Sequence, residues 1–96
     1  MKFLPSEHQA FKTLIERSDF AYDTFSFVKK KGWLNIDHEN LLHTFRFHRR
    51  DEERLDDAGK WTDSKTYSVN IGQETMTMEA FEGVLTAFER WLAESK

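Results

Sequence analysis

Three stretches of the chain alternate between apolar and polar residues, as β-strands with one buried face do. The stretches are 24–30, 41–50 and 66–71. In each of them aromatic or aliphatic residues share one side, and hydroxyl, amide or basic residues occupy the other. This alternation predicts strands whose aromatic side faces a core and whose polar side faces water.

The segment after the first strand is ambiguous. Gly32 interrupts the alternation, and Leu34 and Ile36 then restart it. Because glycine marks turns as well as bulges, Trp33–Asp37 is either a separate strand or the bulged end of the first one. The pattern alone does not separate these alternatives.

The stretch from 51 to 65, DEERLDDAGKWTDSK, is the most polar part of the chain. It holds six acids and three bases, and its large apolar residues are Leu55 and Trp61. Such a composition does not fit a core, and it predicts a long loop or a loose hairpin arm. We expect Leu55 and Trp61 to tether this segment to the body.

A helix is predicted near the N-terminus. Ser6 follows Pro5, and Gln9 lies three residues after Ser6, which is a capping-box pattern. Apolar residues then follow at the i, i+3, i+4 spacing from Phe11, so one stripe of the helix is buried. Ser18 is expected to end the helix.

A second helix is predicted near the C-terminus. Thr77 is a suitable N-cap, and Met76 before it could pack on Phe81 as a hydrophobic staple. At 100° per residue, the apolar positions fall on one stripe about 120° wide. The stripe consists of Phe81, Val84, Leu85, Phe88, Trp91 and Leu92.

These elements predict an α+β fold for a single domain, residues 1–96. Two helices with one apolar stripe each can cover only one face of a sheet. Short connections between strands require mainly antiparallel pairing. We therefore expect a two-layer sandwich of three to four strands with the N- and C-terminal helices on one face, in the order α-β-β-(β)-α.

The amino-acid composition excludes several classes of protein. Nine Phe and three Trp can supply a small core, and the absence of Cys excludes disulfides and thiolate chemistry. No run approaches the roughly 20 apolar residues that span a bilayer. These features predict a protein of the cytoplasm that does not bind a membrane.

The middle of the chain is basic, although the chain as a whole is acidic. The 14 Lys and Arg against 17 Asp and Glu give a net charge of −3. Residues 25–50 hold six bases and two acids, or +4, so the remainder sums to −7. A surface with charge of one sign selects partners of the other sign.

No catalytic or metal-binding motif accompanies this charge pattern. His38 and His43 are five residues apart, whereas the zinc-protease signature needs four, and we expect His38 to be a solvated loop histidine. His8, in the first helical turn, is expected at the surface. The acids of 51–65 lack the ordered calcium-loop pattern, and no Gly-x-Ser-x-Gly elbow is present. The prediction is a protein that is not an enzyme and has no metal or cofactor.

The polar side of the predicted sheet is the candidate binding surface. Arg46, His48 and Arg50 share it, because they alternate with buried phenylalanines. Arg49 has the parity of those phenylalanines and is expected at the end or rim of its strand. The predicted binding residues are Lys30, Trp33, Arg46, His48 and Arg50.

We therefore expect a small non-catalytic binding module that recognises an acidic protein surface. Nucleic-acid binding by the same basic face is an alternative. It is less favoured, because single-strand binders expose aromatics on the sheet and here the strand aromatics have core parity. A third alternative is a small acidic inhibitor or nucleic-acid mimic that acts through its acidic surfaces. Homodimerisation through the sheet edge or the polar face also stays open.

Overall fold

Two helices pack on one face of a five-stranded antiparallel sheet in the computed structural model, which describes residues 3–94. The order α-β-β-β-β-β-α confirms the α+β prediction, with one strand more than the upper expectation. The elements are α1 (Pro5–Arg17), β1 (Ser26–Lys30), β2 (Trp33–Asp37), β3 (Phe45–Leu55), β4 (Trp61–Ile71), β5 (Glu74–Met78) and α2 (Phe81–Ala93), with a 3₁₀ turn at Tyr22–Thr24.

The sheet is a meander in which each strand pairs with the next, in the order β1-β2-β3-β4-β5. Trp33–Asp37 is a strand of its own, paired with β1 on one side and β3 on the other. Lys31 and Gly32 both have positive φ, 54° and 83°. This is the geometry of a tight two-residue hairpin turn, which explains why Gly32 separates two strands.

The polar stretch 51–65 is a hairpin arm rather than a loop. β3 and β4 are eleven residues each and stay paired in register out to Leu55 opposite Trp61. Asp56 orders the turn at the tip, since its Oδ1 accepts hydrogen bonds from the backbone N–H groups of Ala58 and Lys60 at 3.0 and 2.8 Å. We call residues 51–65 the arm.

The arm projects from the body, and the molecule measures 49 × 26 × 21 Å. The expectation that Leu55 and Trp61 tether the segment to the body is wrong. Leu55 is 59% exposed and Trp61 is 68% exposed. Backbone pairing between the strands and the hydrogen bonds of Asp56 order the arm instead.

Residues 74–78 form the fifth strand, so Thr77 is not a helix cap. Gly72, with φ of 62°, turns the chain back beside β4. Met76 and Met78 then point toward the core, whereas Thr77 lies opposite Ser68 on the polar side. Helix α2 begins later than predicted, with Ala80 as its N-cap.

The N-terminal helix begins at Pro5, and its start differs from the predicted box in detail. Leu4 is the N-cap residue, and its backbone N–H donates to Glu7 Oε1 at 3.1 Å. The side chain that accepts a hydrogen bond from the N-cap backbone is therefore that of Glu7, and not that of Gln9. The helix ends at Arg17 with Ser18 as its C-cap, as the sequence predicted.

The core lies between the two helices and the aromatic face of the sheet. Phe11 of α1 is fully buried, with its ring centroid 5.8 Å from that of Phe47 and 4.8 Å from that of Phe88. Trp91 of α2 is also fully buried, and its Nε1–H donates to the carbonyl oxygen of His43 at 2.8 Å. Ring contacts of this kind join both helices to the middle strands.

A buried ion pair joins α1 to β3 at the edge of this core. Arg49 Nη1 lies 2.6 Å from Glu7 Oε1, and both side chains are 5% exposed. Burial alone would lower the pKa of Arg49, but the hydrogen bond and charge of Glu7, followed by those of Asp51, raise it overall. The predicted rim position of Arg49 is therefore wrong, because β3 continues to Leu55 and Arg49 is enclosed under α1.

Tyr67 should make the fold less stable at alkaline pH. It is 8% exposed and lies opposite Arg49. Burial, followed by the negative charge of Glu7, raises the pKa of Tyr67, so the folded state keeps a proton that the unfolded chain loses near pH 10. Stability is full below about pH 10 and falls as the pH rises through the folded-state pKa.

Denaturant unfolding measured across the alkaline range checks this expectation. The fall in unfolding free energy should be smaller for Tyr67→Phe than for the wild type. Leu42→Ala changes a residue that does not ionise and is 91% exposed, so as the control it should keep the wild-type fall. Equal falls for the wild type and Tyr67→Phe would contradict the assignment.

Candidate functional site

The face of the sheet opposite the helices carries the predicted binding residues, and we call it the open face. Arg46, His48 and Arg50 point to it because Phe47 and Arg49, which alternate with them, are buried under the helices. Trp33 and Lys30 lie opposite each other across the β1–β2 pair. The described structure thus places all five predicted residues, Lys30, Trp33, Arg46, His48 and Arg50, on one surface.

Three of these residues are in direct contact. The guanidinium carbon of Arg46 lies 4.7 Å from the centroid of the Trp33 ring, and the His48 ring lies 5.3 Å from it. All three side chains are half-buried. A guanidinium over an indole is a favourable cation–π arrangement. We call Trp33, Arg46 and His48 the central cluster.

Asn35 fixes the position of the Arg46 guanidinium. Its Oδ1 accepts from Arg46 Nε at 3.2 Å, and its Nδ2 donates to the backbone oxygen of Val28 at 3.4 Å. Nε is thereby occupied, whereas the two terminal nitrogens of Arg46 have no hydrogen-bond partner among residues 3–94. The terminal nitrogens of such a guanidinium are available to donate two parallel hydrogen bonds to a carboxylate.

His48 is held in one orientation as well. Its Nδ1–H donates to the carbonyl oxygen of Gly32 at 2.9 Å, in the turn between β1 and β2. Its Nε2 has no hydrogen-bond partner among residues 3–94. The central cluster therefore presents the terminal nitrogens of Arg46 and Nε2 of His48 without partners in the described structure.

Arg50 and Lys30 differ from Arg46 in their surroundings. Arg50 is exposed, and its Nε lies 2.7 Å from Glu52 Oε1. Glu52 also lies 3.6 Å from Arg54 Nε, so one carboxylate is shared by two arginines on the same face. Lys30 is exposed at the edge strand β1. Arg46 thus holds the least neutralised guanidinium of this group among the described residues.

The open face is basic on a chain that is acidic. Four bases and two acids lie on it, which sums to +2, so the rest of the chain sums to −5. Hydroxyl and amide residues of β4 and β5 complete the surface, including Ser68, Asn70 and Thr75. The charged residues are Lys30, Asp37, Arg46, Arg50, Glu52 and Arg54.

Sequence reasoning missed the contribution of Asn35, Glu52 and Arg54 to this face. Asn35 has the same parity as Trp33 within β2. Taking residues 33–37 as a strand would therefore have placed Asn35 on the open face. Glu52 and Arg54 continue the alternation of Arg46, but the polar composition beyond residue 50 obscured the strand.

The basic segment does not form one patch. Lys29 lies opposite Leu34 on the other side of the sheet, Lys31 is in the β1–β2 turn, and Arg49 is buried against Glu7. Only Lys30 of the three consecutive lysines therefore joins Arg46 on the open face.

His38 is a buried structural residue, so its prediction as a solvated loop histidine is wrong. Its Nδ1 accepts the backbone N–H of Asn40 at 3.0 Å, and its Nε2 therefore carries the proton and donates to the Thr24 hydroxyl, also at 3.0 Å. The ring lies 4.6 Å from the Phe25 ring, between centroids. His38 joins the loops that flank β1 and β2.

The remaining histidines do not assemble with His38. His8 is half-buried and hydrogen-bonds the Tyr22 hydroxyl, so it is not a free surface residue, whereas His43 is exposed. Within residues 3–94, no three His, Asp or Glu side chains are grouped as metal ligands.

No helix of the described chain is long and apolar enough to cross a membrane.

Comparisons of this chain with protein-family models, with curated proteins and with solved structures find no match.

Proposed function

We propose that the protein is a small non-catalytic binding module of the cytoplasm whose open face docks on an acidic surface of a partner protein. The observation that carries this proposal is the Arg46 guanidinium, which lies over Trp33, is bonded to Asn35 through Nε, and has both terminal nitrogens without a hydrogen-bond partner among residues 3–94. Arg and Trp are the residue types that most often dominate the energy of protein interfaces.

The arrangement favours binding because little order has to be created on association. Long basic side chains normally lose rotamer freedom when they bind. In the central cluster, Asn35 and Gly32 already restrain Arg46 and His48. The specific contact is a partner aspartate or glutamate that accepts two parallel hydrogen bonds from Arg46.

Protein is favoured over nucleic acid as the partner. Base-stacking sheets expose aromatic rings, whereas Phe45, Phe47 and Tyr67 are buried here. Trp33 is the aromatic ring of the open face, and Arg46 and His48 already contact it. The net charge of −3 would also repel a phosphate backbone.

Charge reversal on the open face should abolish partner binding. Recovery of partners from native lysate should fall at least tenfold for Arg46→Glu, since truncated interface arginines often cost 2 kcal/mol or more. The loss should be smaller for Arg50→Glu, because Glu52 already neutralises part of that charge. Arg46→Lys should bind weakly, since it keeps the charge and loses the bidentate geometry.

The matched control reverses two exposed arginines on the helices, Arg17→Glu/Arg90→Glu, and should recover the same partners as the wild type. Equal recovery by Arg46→Glu and the wild type would exclude the open face. Fluorescence anisotropy with single-stranded DNA and RNA at low salt tests the alternative. Saturable, steeply salt-dependent binding that Arg46→Glu removes would favour a nucleic-acid function.

A further inference from the structure

On the arm, the side of the sheet that the helices cover elsewhere is uncovered in the described structure. Helices α1 and α2 cover the aromatic side of the sheet as far as Arg49 and Tyr67. Beyond these residues the same side continues along the arm, where strand alternation places Asp51, Glu53 and Leu55 on it. We call this surface the lower face of the arm; its β4 residues are Trp61, Asp63 and Lys65.

Two large apolar side chains lie together at its end. Leu55 and Trp61 are directly opposite each other in the β3–β4 register. More than half of each side chain is exposed, and Asp56 holds the turn beyond them in a fixed conformation. An exposed tryptophan on an ordered element has the character of an interface anchor.

The charges behind this apolar pair are unbalanced. Glu53 lies opposite Asp63, and like charges at opposite positions of a sheet destabilise it. No Lys or Arg of residues 3–94 forms an ion pair with either carboxylate. On the opposite face of the arm, by contrast, Glu52 pairs with Arg50 and Arg54.

The lower face therefore has a net negative charge, which a basic partner would neutralise. Three acids against Lys65 give it −2. A concavity lies along the arm, lined by Asp51, Glu53, Asp63 and Lys65 of the lower face and by Glu52 and Ser64 of the opposite face. A cation placed between Glu53 and Asp63 would convert their repulsion into two attractions.

The dimensions of the lower face fit one helix. Strands rise about 3.4 Å per residue, so Asp51 to Leu55 spans about 14 Å, and two paired strands lie about 5 Å apart. A helix rises about 1.5 Å per residue and is about 10 Å wide, so roughly nine to ten residues cover this length. Such a helix would extend the helical layer of α1 and α2 over the arm.

We propose that the lower face of the arm binds a basic amphipathic helix of a partner protein. Apolar residues of that helix pack on Leu55 and Trp61, and a Lys or Arg lies between Glu53 and Asp63. A second copy of this chain fits less well, because face-to-face packing of two such arms would bring like charges together. This site is on the other side of the sheet from the central cluster and does not depend on it.

A labelled amphipathic Lys/Leu peptide of about 16 residues, long enough to cover the arm, is the probe. Fluorescence anisotropy should show saturable binding to the wild-type protein. Affinity should fall about tenfold or more for Leu55→Ser/Trp61→Ser, since the anchor is removed, and by a similar factor for Glu53→Lys/Asp63→Lys. Amide shifts in NMR spectra should change in residues 51–65 and not around Arg46.

Two controls separate this site from other surfaces. Leu42→Ser removes a leucine that is 91% exposed elsewhere and should not weaken binding. Arg46→Glu should also bind the peptide normally, so failure here is distinct from failure of the open face. Circular dichroism establishes that each variant is folded.

The proposal is wrong if the wild type shows no saturable binding, or if the Leu55→Ser/Trp61→Ser variant binds as tightly as the wild type. It is also wrong if a peptide of equal charge without leucines binds equally well, since attraction would then be purely electrostatic. Sedimentation that shows a wild-type dimer lost in Leu55→Ser/Trp61→Ser would assign the lower face to a second copy instead.

Discussion

Phe88→Ala should lower the free energy of unfolding by about 3–5 kcal/mol, as large-to-small changes of core aromatics do. Phe88 is fully buried in α2. Its ring centroid lies 4.8 Å from that of Phe11, 5.0 Å from Phe45 and 5.4 Å from Trp91. The cavity left by alanine would thus open between both helices and the sheet, where rigid neighbouring rings cannot close it.

Urea denaturation measures this loss. Small domains have only about 5–15 kcal/mol of stability in total, so the variant should unfold at much lower urea. Leu42→Ala is the control, because Leu42 is almost fully exposed and the change should be within about 0.5 kcal/mol. A loss below about 1 kcal/mol for Phe88→Ala would show that the core is not packed around this ring.

Glu7→Gln should cost about 3 kcal/mol, because it leaves the buried guanidinium of Arg49 without its closest counter-ion. Glutamine keeps an oxygen that can accept the Leu4 N–H, so the helix cap is retained while the charge is lost. Asp51, a second ion-pair partner of Arg49 within residues 3–94, lies 3.3 Å away and is mostly exposed, so it compensates only in part.

The double variant Glu7→Met/Arg49→Met separates the ion pair from simple packing. Replacing both members of a buried pair by apolar groups of similar size is often neutral or stabilising. We therefore expect the double variant to be more stable than Glu7→Gln in the same urea titration. A double variant that is less stable than Glu7→Gln would indicate that the pair itself stabilises the fold.

These two regions are separate from both proposed binding surfaces. Phe88 and Glu7 lie in or beneath the helical layer, whereas Arg46 is on the open face and Trp61 is at the end of the arm. Substitutions on the open face and the arm should therefore leave stability nearly unchanged. Losses of binding in those variants can be interpreted as losses of contact.

Strand alternation predicted correctly on which side of the sheet Arg46, His48 and Arg50 lie. Arg46 and His48 could be assigned to the polar side because the phenylalanines between them required burial. The contact of Arg46 with Trp33 could not be assigned, since it depends on how β2 is aligned with β3. Register follows from the turns and pairing of the whole sheet rather than from either strand alone.

The fifth strand shows how a local signal can favour the wrong element. Thr77 is a good N-cap residue and precedes a strong helical stripe, yet the sequence TMTM also alternates. Pairing with β4 satisfies the backbone groups of residues 74–78 and buries Met76 against the core. This stabilisation of a fifth strand can be predicted only when β4 is known to have an unpaired edge.

The sequence by itself determined the fold class, the helix stripes and the side of the sheet on which each strand residue lies. These features repeat with a period of two or about 3.6 residues, so a short window contains them. The tertiary structure alone decided the environments of Arg49, His38 and Trp61. Arg49 pairs with Glu7, 42 residues away, and His38 donates a hydrogen bond to a hydroxyl 14 residues away. Trp61 stays exposed because the helices end before the arm, and no local pattern encodes where a neighbouring layer stops.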